Sequence, residues 1–230
     1  MKEPVNALAA LDDPSRRGMY AHIRRVRRPV TRDEAAEVVG ISRKLAAFHL
    51  DKLVAAGLLR TRYEFAGGVR KVGRAPKVYE PSGVEVRVSI PPRHHDVLAG
   101  ILLDAVLEER GGETARDAAL RAAHRQGQAL GAAERDRARP GRLGTERALT
   151  LASALVERHG FEPDRETPAC LRLRICPFHP PAAKAPELVC GINRAFLGGV
   201  LEGLQATTVE AVPDPRAGEC CVELRAAGTP

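Results

Sequence analysis

The stretch SRKLAAFHLDKLVAAGL, residues 42–58, decides the fold of the N-terminal part of the chain. Ser42 fits an N-cap, and the leucines that follow recur at helical spacing. The predicted inward positions of this helix are Leu45, Leu50, Leu53 and Leu58. Just upstream, Thr31 fits the N-cap of a shorter helix that Gly40 would end. Two short helices around a tight glycine turn predict a helix-turn-helix, in which the second helix enters the groove of DNA.

Beyond Gly57 the sequence changes to the pattern of a β-hairpin. Residues 58–65, LLRTRYEF, and residues 77–82, KVYEPS, are the two predicted strands, and a glycine-rich basic segment joins them. Positive side chains on such a tip can contact phosphates or enter the minor groove. The predicted contacts of the tip are Arg70, Lys71, Arg74 and Lys77.

The start of the second helix carries the best candidates for base or phosphate contact, Arg43 and Lys44. Phosphate contacts set the register, and side chains on the helix face read base edges. The full predicted set on this helix is Ser42, Arg43, Lys44, Ala47, Phe48 and His49. His49 also fits a packed or capping role, and Phe48 equally fits a contact with the wing.

The charge distribution favours the same function. Residues 1–86 carry 17 Lys and Arg against 10 Asp and Glu, whereas residues 87–230 carry 19 of each. The net charge of +7 therefore lies in the first segment, which fits a polyanionic partner. No window approaches the roughly 18 consecutive apolar residues of a membrane span, and no secretory signal opens the chain. We therefore expect a cytoplasmic protein.

The middle of the chain is predicted to be helical. Helices are expected over residues 96–110, from Thr114 to about Arg137, and from Thr145 to His159. The helix over residues 96–110 has a broad apolar face. We assign this face to a homodimer contact, because a palindromic operator has two half-sites and each half-site binds one DNA-binding domain. Packing of the same face within its own subunit is the open alternative.

All cysteines of the chain lie beyond residue 169: Cys170, Cys176, Cys190, Cys220 and Cys221. Without a secretory signal they indicate metal ligands, redox thiols or buried core residues rather than disulfides. The predicted order strand, helix, strand, strand gives a small α+β unit with the helix on an antiparallel sheet. In it Cys176, Cys190 and either Cys220 or Cys221 converge, where Arg172 and Arg174 would ease ionisation of the thiols. His179 or Cys170 would be a fourth ligand.

Stretches at both ends of the chain resemble one family of regulators. Residues 41–64, ISRKLAAFHLDKLVAAGLLRTRYE, are similar to the recognition helix and first wing strand of ArsR-like winged-helix repressors. The motif GRAPKVYEPS resembles the wing end of their SufR-type branch, and CPFH, PELVCGINRAFLGGVLEGL and GECCVEL resemble its sensor region. The resemblance implies an iron-sulfur cluster, of the 4Fe-4S type, bound by Cys176, Cys190 and one of Cys220 and Cys221.

The sequence thus predicts an α+β protein in three segments. Residues 1–86 are the winged helix-turn-helix, residues 87–160 a helical dimerisation or linker region, and residues 161–230 the cysteine-containing sensor. The predicted function is a homodimeric repressor that binds a palindromic double-stranded DNA operator under the control of its cluster. One alternative is a regulator with a zinc site, or with a small-molecule effector among the middle helices.

A thiol enzyme, with Cys176 as nucleophile and His179 as base, is the other alternative. It lacks an orienting residue and a pocket in the sequence pattern. No glycine-rich phosphate loop, pair of catalytic carboxylates or serine nucleophile motif stands out elsewhere in the chain. The sequence therefore predicts a regulator that is not an enzyme.

Overall fold

A computed structural model describes residues 4–64, 75–216 and 218–228. The chain divides into two compact units, Met1–Val88 and Ser89–Pro230. The predicted phosphate contacts Arg70, Lys71 and Arg74 lie outside the described residues.

Four helices build the first unit: α1 (Pro4–Ala10), α2 (Pro14–Val26), α3 (Arg32–Val39) and α4 (Arg43–Ala55). The side chains of Asp13, Thr31 and Ser42 each accept a hydrogen bond from the backbone N–H three residues on, at 2.9, 3.2 and 3.3 Å. Gly40 ends α3 in the left-handed conformation, with φ 67°. The predicted helix-turn-helix boundaries are therefore confirmed, because local capping chemistry fixes them.

A small antiparallel sheet completes this unit. It has the order β1 (Val30–Thr31), β3 (Lys77–Pro81), β2 (Leu59–Tyr63), and the β2–β3 pair confirms the predicted hairpin. The strand β1 was not predicted, since two residues carry no readable alternation. The buried side of α4 holds Ala46, His49, Leu50 and Leu53. The prediction that Leu45 faces inward is wrong: its exposed fraction is 43%, and Ala46 occupies the inward position.

The second unit contains the central helices and all the cysteines. Its helices are α5 (His95–Leu107), α6 (Ala115–Ala138), α7 (Thr145–Glu157), α8 (Pro181–Lys184) and α9 (Pro186–Gly203). Its strands are β4 (Pro163–Thr167), β5 (Cys170–Leu173), β6 (Val209–Pro213) and β7 (Val222–Ala226), in the antiparallel order β4-β5-β7-β6. Residues from α5, α7, α9 and the sheet share one apolar core. The predicted segments 87–160 and 161–230 therefore lie in a single unit, because the apolar faces of the helices cover the sheet.

The helices α6 and α9 pack backbone against backbone. Glycines on both helices make the contact, so that a Cβ atom at Gly127 would lie 2.0 Å from the Phe196 carbonyl oxygen. The same atom at Gly199 would lie 2.0 Å from the His124 carbonyl oxygen. Gly131 and Gly203 make equivalent approaches, at 2.2 and 2.1 Å. This contact fixes α9, and with it Cys190, in the unit.

Candidate nucleic-acid interface and cysteine cavity

The exposed face of α4 carries the predicted DNA contacts. Ser42, Arg43 and Lys44 are exposed at its N-terminus, where Arg43 Nε lies 2.8 Å from Asp33 Oδ1. Both members of this ion pair are more than half exposed, so that DNA phosphates can replace Asp33 at little cost. Ala47 is half-buried on the same side of the helix, and Phe48 is exposed beneath the ammonium group of Lys52.

Two other predicted contacts are placed differently. His49 is buried, with Nδ1 4.0 Å from Asp13 Oδ1, so it has the packed role that the sequence left open. Lys77 lies on β3 rather than at the tip of the hairpin, and its Nζ lies 2.8 Å from Asp51 Oδ1. The hydrogen bond with Asp51 raises the pKa of Lys77. The candidate interface on α4 is therefore formed by Ser42, Arg43, Lys44, Ala47 and Phe48.

A cavity of about 430 Å³ in the second unit collects the predicted metal ligands. Cys176, His179, Cys190 and Cys221 line it, together with Arg93. Cys176 follows β5, Cys190 lies in the first two turns of α9, and Cys221 directly precedes β7. These distant positions meet because β5 pairs with β7 and α9 packs on the sheet. We call this space the cysteine cavity.

The thiols influence one another's pKa through side-chain hydrogen bonding. The interacting pairs are Cys176 with Cys220, Cys220 with Cys221, and Cys221 with Cys190. The bond with Cys220, and then burial, raise the pKa of Cys176, and burial raises the pKa of Cys190. The bond from Cys176 lowers the pKa of Cys220, but the bond with Cys221 and burial outweigh it and give about 11. The prediction that nearby arginines ease ionisation is therefore wrong for these thiols, because the pKa values of Cys176, Cys190 and Cys220 are all raised.

The structure distinguishes the members of the vicinal pair. Cys220 is fully buried, and Asn193 Nδ2 donates to its Sγ at 3.1 Å. Cys221 faces the cysteine cavity beside Cys190. Cys170 lies at the opposite end of β5, where its Sγ is 3.6 Å from Glu223 Oε2. Of the residues that the sequence left as alternatives, Cys221 and His179 therefore line the cavity, and Cys220 and Cys170 are not among its lining residues.

Arg172 and Arg174 bind carboxylates instead of thiols. Arg172 is fully buried and contacts Asp214, Glu219 at 2.9 Å and Glu223 at 3.1 Å. Arg174 Nη1 lies 2.5 Å from the other oxygen of Glu219, which also lines the cysteine cavity. Sequence analysis placed both arginines near the thiols and missed this network. The acidic residues opposite them, between Asp214 and Glu223, were the available signal.

In the ranges that the structure describes, no group of three or more His, Cys, Asp or Glu side chains stands in a metal-binding arrangement. A metal that binds these cysteines would displace their thiol protons, because metal binding to cysteine releases the thiol proton.

Comparison with known proteins supports the interpretation of the first unit. The fold and the exposed α4 face define a winged helix-turn-helix of the kind that binds DNA. A family model described as a helix-turn-helix domain matches residues 11–62, which include α2, α3, α4 and most of β2. This match supports a DNA-binding transcriptional regulator. Neither a curated protein nor a solved structure matches the chain. Among the described helices, none combines the length and apolar character needed to cross a membrane.

Proposed function

We propose that this regulator binds its operator under the control of an iron-sulfur cluster held by Cys176, Cys190 and Cys221. The observation that carries the proposal is the cysteine cavity, in which thiols from three distant segments face one space. Thiolates are the usual protein ligands of such clusters. The donor set therefore fits the group that the resemblance to SufR-type regulators implies, with His179 as a candidate fourth ligand. In this proposal the protein acts in the cytoplasm as a transcriptional repressor.

The residues that line the cavity supply the donor chemistry that such a cluster needs. Cys176, Cys190 and Cys221 would exchange their thiol protons for bonds to iron, and the positive Arg93 on the cavity wall would favour the resulting negative charge. When bound, the cluster would supply a redox-active centre, which responds to oxidants and to iron supply. The buried Cys220, which accepts a hydrogen bond from Asn193, is not among the proposed ligands.

The proposal is tested by purifying the protein without oxygen and measuring iron, acid-labile sulfide and zinc per chain. We expect near-equal amounts of iron and sulfide in the wild type, and the loss of both in Cys190→Ser with an unchanged circular dichroism spectrum. Cys170→Ser is the matched control, because this thiol belongs to the same unit but lies outside the cavity. A Cys190→Ser protein that retains its iron would contradict the assignment.

A zinc site is the second candidate, because His179 lines the same cavity. Three cysteines and one histidine form a common structural zinc set. Zinc without sulfide, retained after exposure to oxidant, would favour this candidate over the cluster. The DNA-binding role of the first unit is the same in both cases.

Lys44 supplies the test of the α4 interface. Lys44→Ala is expected to weaken binding to duplex DNA about tenfold, or about 1.4 kcal/mol, and to lower the salt slope by about 0.9 if the contact is a phosphate. The binding is measured by fluorescence anisotropy at several salt concentrations. Arg147→Ala removes the same charge from an exposed position on α7 and controls for net charge. Equal affinity losses in both variants would contradict a specific role for α4.

The apolar face of α5 is proposed to bind a second copy of the chain. Leu98, Ile101 and Ala105 are buried in the core of the unit, so the helix packs within its own subunit. Its other side exposes large apolar residues: Leu102, Leu103, Val106 and Leu107. Such an exposed apolar stripe typically marks an interface, and a palindromic operator requires two DNA-binding domains.

Val106 is the residue to change, because its exposed fraction is 72%. We expect Val106→Glu to convert a dimer into a monomer in sedimentation velocity, since a charge would be buried at the contact. Val84→Glu, which changes an exposed valine outside α5, is the control. A Val106→Glu protein that sediments as the wild type would rule out this face.

A further inference from the structure

The segment that enters the second unit is attached to the cysteine cavity. Residues 83–90 span the boundary between the two units, and all of them are exposed and outside helices and strands. Pro91 and Pro92 follow, and then come Arg93, the N-cap residue His94 and His95, the first residue of α5. Each of these last three residues is hydrogen-bonded to the segment Cys176–His179, which we call the cysteine loop.

These hydrogen bonds join three consecutive residues to one short loop. Arg93 Nη1 donates to the Cys176 carbonyl oxygen at 2.7 Å. The backbone N–H of His94 donates to the Pro177 carbonyl at 3.1 Å, and His95 Nε2 donates to the His179 carbonyl at 2.9 Å. The loop and the start of α5 therefore form one bonded assembly.

Both sides of this assembly restrict how the loop can move. Phe178, fully buried, packs edge-on against Phe161 and Phe196, with ring centroids 6.5 and 6.4 Å away. The ring of His94 fills the space beside Gly160, where a Cβ atom would lie 2.4 Å from His94 Cδ2. Close-packed interiors resist displacement. A shift of the Cys176 backbone is therefore transmitted to Arg93, His94 and His95 rather than absorbed by the core.

Arg93 also faces the space that the ligand would occupy. Its side chain lines the cysteine cavity with Cys176 while it donates to the carbonyl of the same residue. A guanidinium group binds anionic partners more strongly than neutral carbonyls. An anionic ligand in the cavity would therefore compete with the loop backbone for the guanidinium group of Arg93.

We propose that Arg93, His94 and His95 form a coupling element, which transmits occupancy of the cysteine cavity to the linker of residues 83–90 and so to the DNA-binding unit. This inference rests on the proposed function, because occupancy means the bound cluster or metal. Arg93 acts as a positioning residue: it holds the loop to the linker and supplies none of the metal ligands.

The first test compares operator affinity with and without the cluster, for the full-length protein. Wild type is expected to show a ratio in the range of about 5-fold to 150-fold, which is typical of allosteric coupling, and Arg93→Ala a ratio within about 2-fold. Because Arg93 also lines the cavity, the ratios are compared between samples with equal iron and sulfide per chain. Arg93→Lys, which keeps a charged donor, should restore part of the ratio. Arg194→Ala is the control, because Arg194 also donates to a carbonyl, that of Ala211, away from the loop. A wild-type ratio in Arg93→Ala would overturn the proposal.

The second test does not depend on the cluster. Zinc ions are added to cluster-free protein, and hydrogen exchange is followed in peptides that cover residues 83–98. We expect zinc to change this exchange in wild type and Arg194→Ala but not in Arg93→Ala. No change in wild type, or an equal change in Arg93→Ala, would overturn the coupling. A wild-type protein that responds to zinc but never acquires iron and sulfide would overturn only the cluster assignment.

Discussion

Gly127→Ala is expected to destabilise the second unit by at least about 3 kcal/mol, at or above the upper end of the usual cost of overpacking. The added Cβ would lie 2.0 Å from the carbonyl oxygen of Phe196. The obstacle is backbone rather than a side chain that could rotate away, so α6 and α9 would have to separate. A domain with a total stability of about 5 to 15 kcal/mol loses much of it through such a change.

Gly198, on the partner helix α9, provides a control of opposite sign. A Cβ atom there meets nothing within 4 Å, so Gly198→Ala is expected to stabilise α9 by up to about 1 kcal/mol through helix propensity. Urea unfolding is followed through the reaction of the thiols with a chromogenic disulfide reagent. All cysteines lie in the second unit, so the signal reports that unit alone. Equal unfolding midpoints for Gly127→Ala and wild type would show that the helices are not in backbone contact.

The first unit could be predicted from the sequence because its signals are local. Asp13, Thr31 and Ser42 cap helices through bonds to residues three positions away, and Gly40 ends α3 through its own backbone conformation. These interactions exist within one turn of chain. The sequence did not show whether Leu45 or Ala46 faces inward, because the two residues are neighbours on α4. Only the packing of α4 against α2 and α3 places Ala46 inside.

The cysteine cavity was predictable only in outline. The strand and helix patterns placed Cys176 and Cys190 at element ends that could meet, and the structure brings them to one cavity. The choice between Cys220 and Cys221 depends on how the segment before β7 turns toward α9. The burial of Arg172 likewise depends on carboxylates more than 40 residues away. Long-range pairing of this kind leaves no periodicity in the sequence.

Arg172→Met is expected to be the second most destabilising change, with a loss of about 3 kcal/mol at neutral pH. Methionine replaces much of the volume of the buried side chain, but Asp214, Glu219 and Glu223 then face one another without their cation. We place the loss at the lower end of the range for broken buried pairs, because Asp214 and Glu219 are partly exposed and regain water. Arg216→Met, which removes an exposed partner of Asp214, is the matched control and should cost less than about 1 kcal/mol.

The pH dependence separates lost charge pairing from lost packing. The hydrogen bond with Arg172 lowers the pKa of Glu219, and bonds with Arg172 and Arg216 outweigh burial and lower the pKa of Asp214. A carboxylate with a lowered folded-state pKa stabilises the protein above its unfolded pKa, and this contribution is lost as the pH falls through the lowered value. Wild type should therefore lose stability from about pH 5 downward, whereas Arg172→Met should lose less.

The difference in unfolding free energy between the two proteins is measured by urea titration at pH 7, 5, 4 and 3. A difference that stays constant over this range would assign the effect to packing alone. A difference that shrinks with acidification would show that the buried guanidinium holds the segment before Cys220 and Cys221 through its charge.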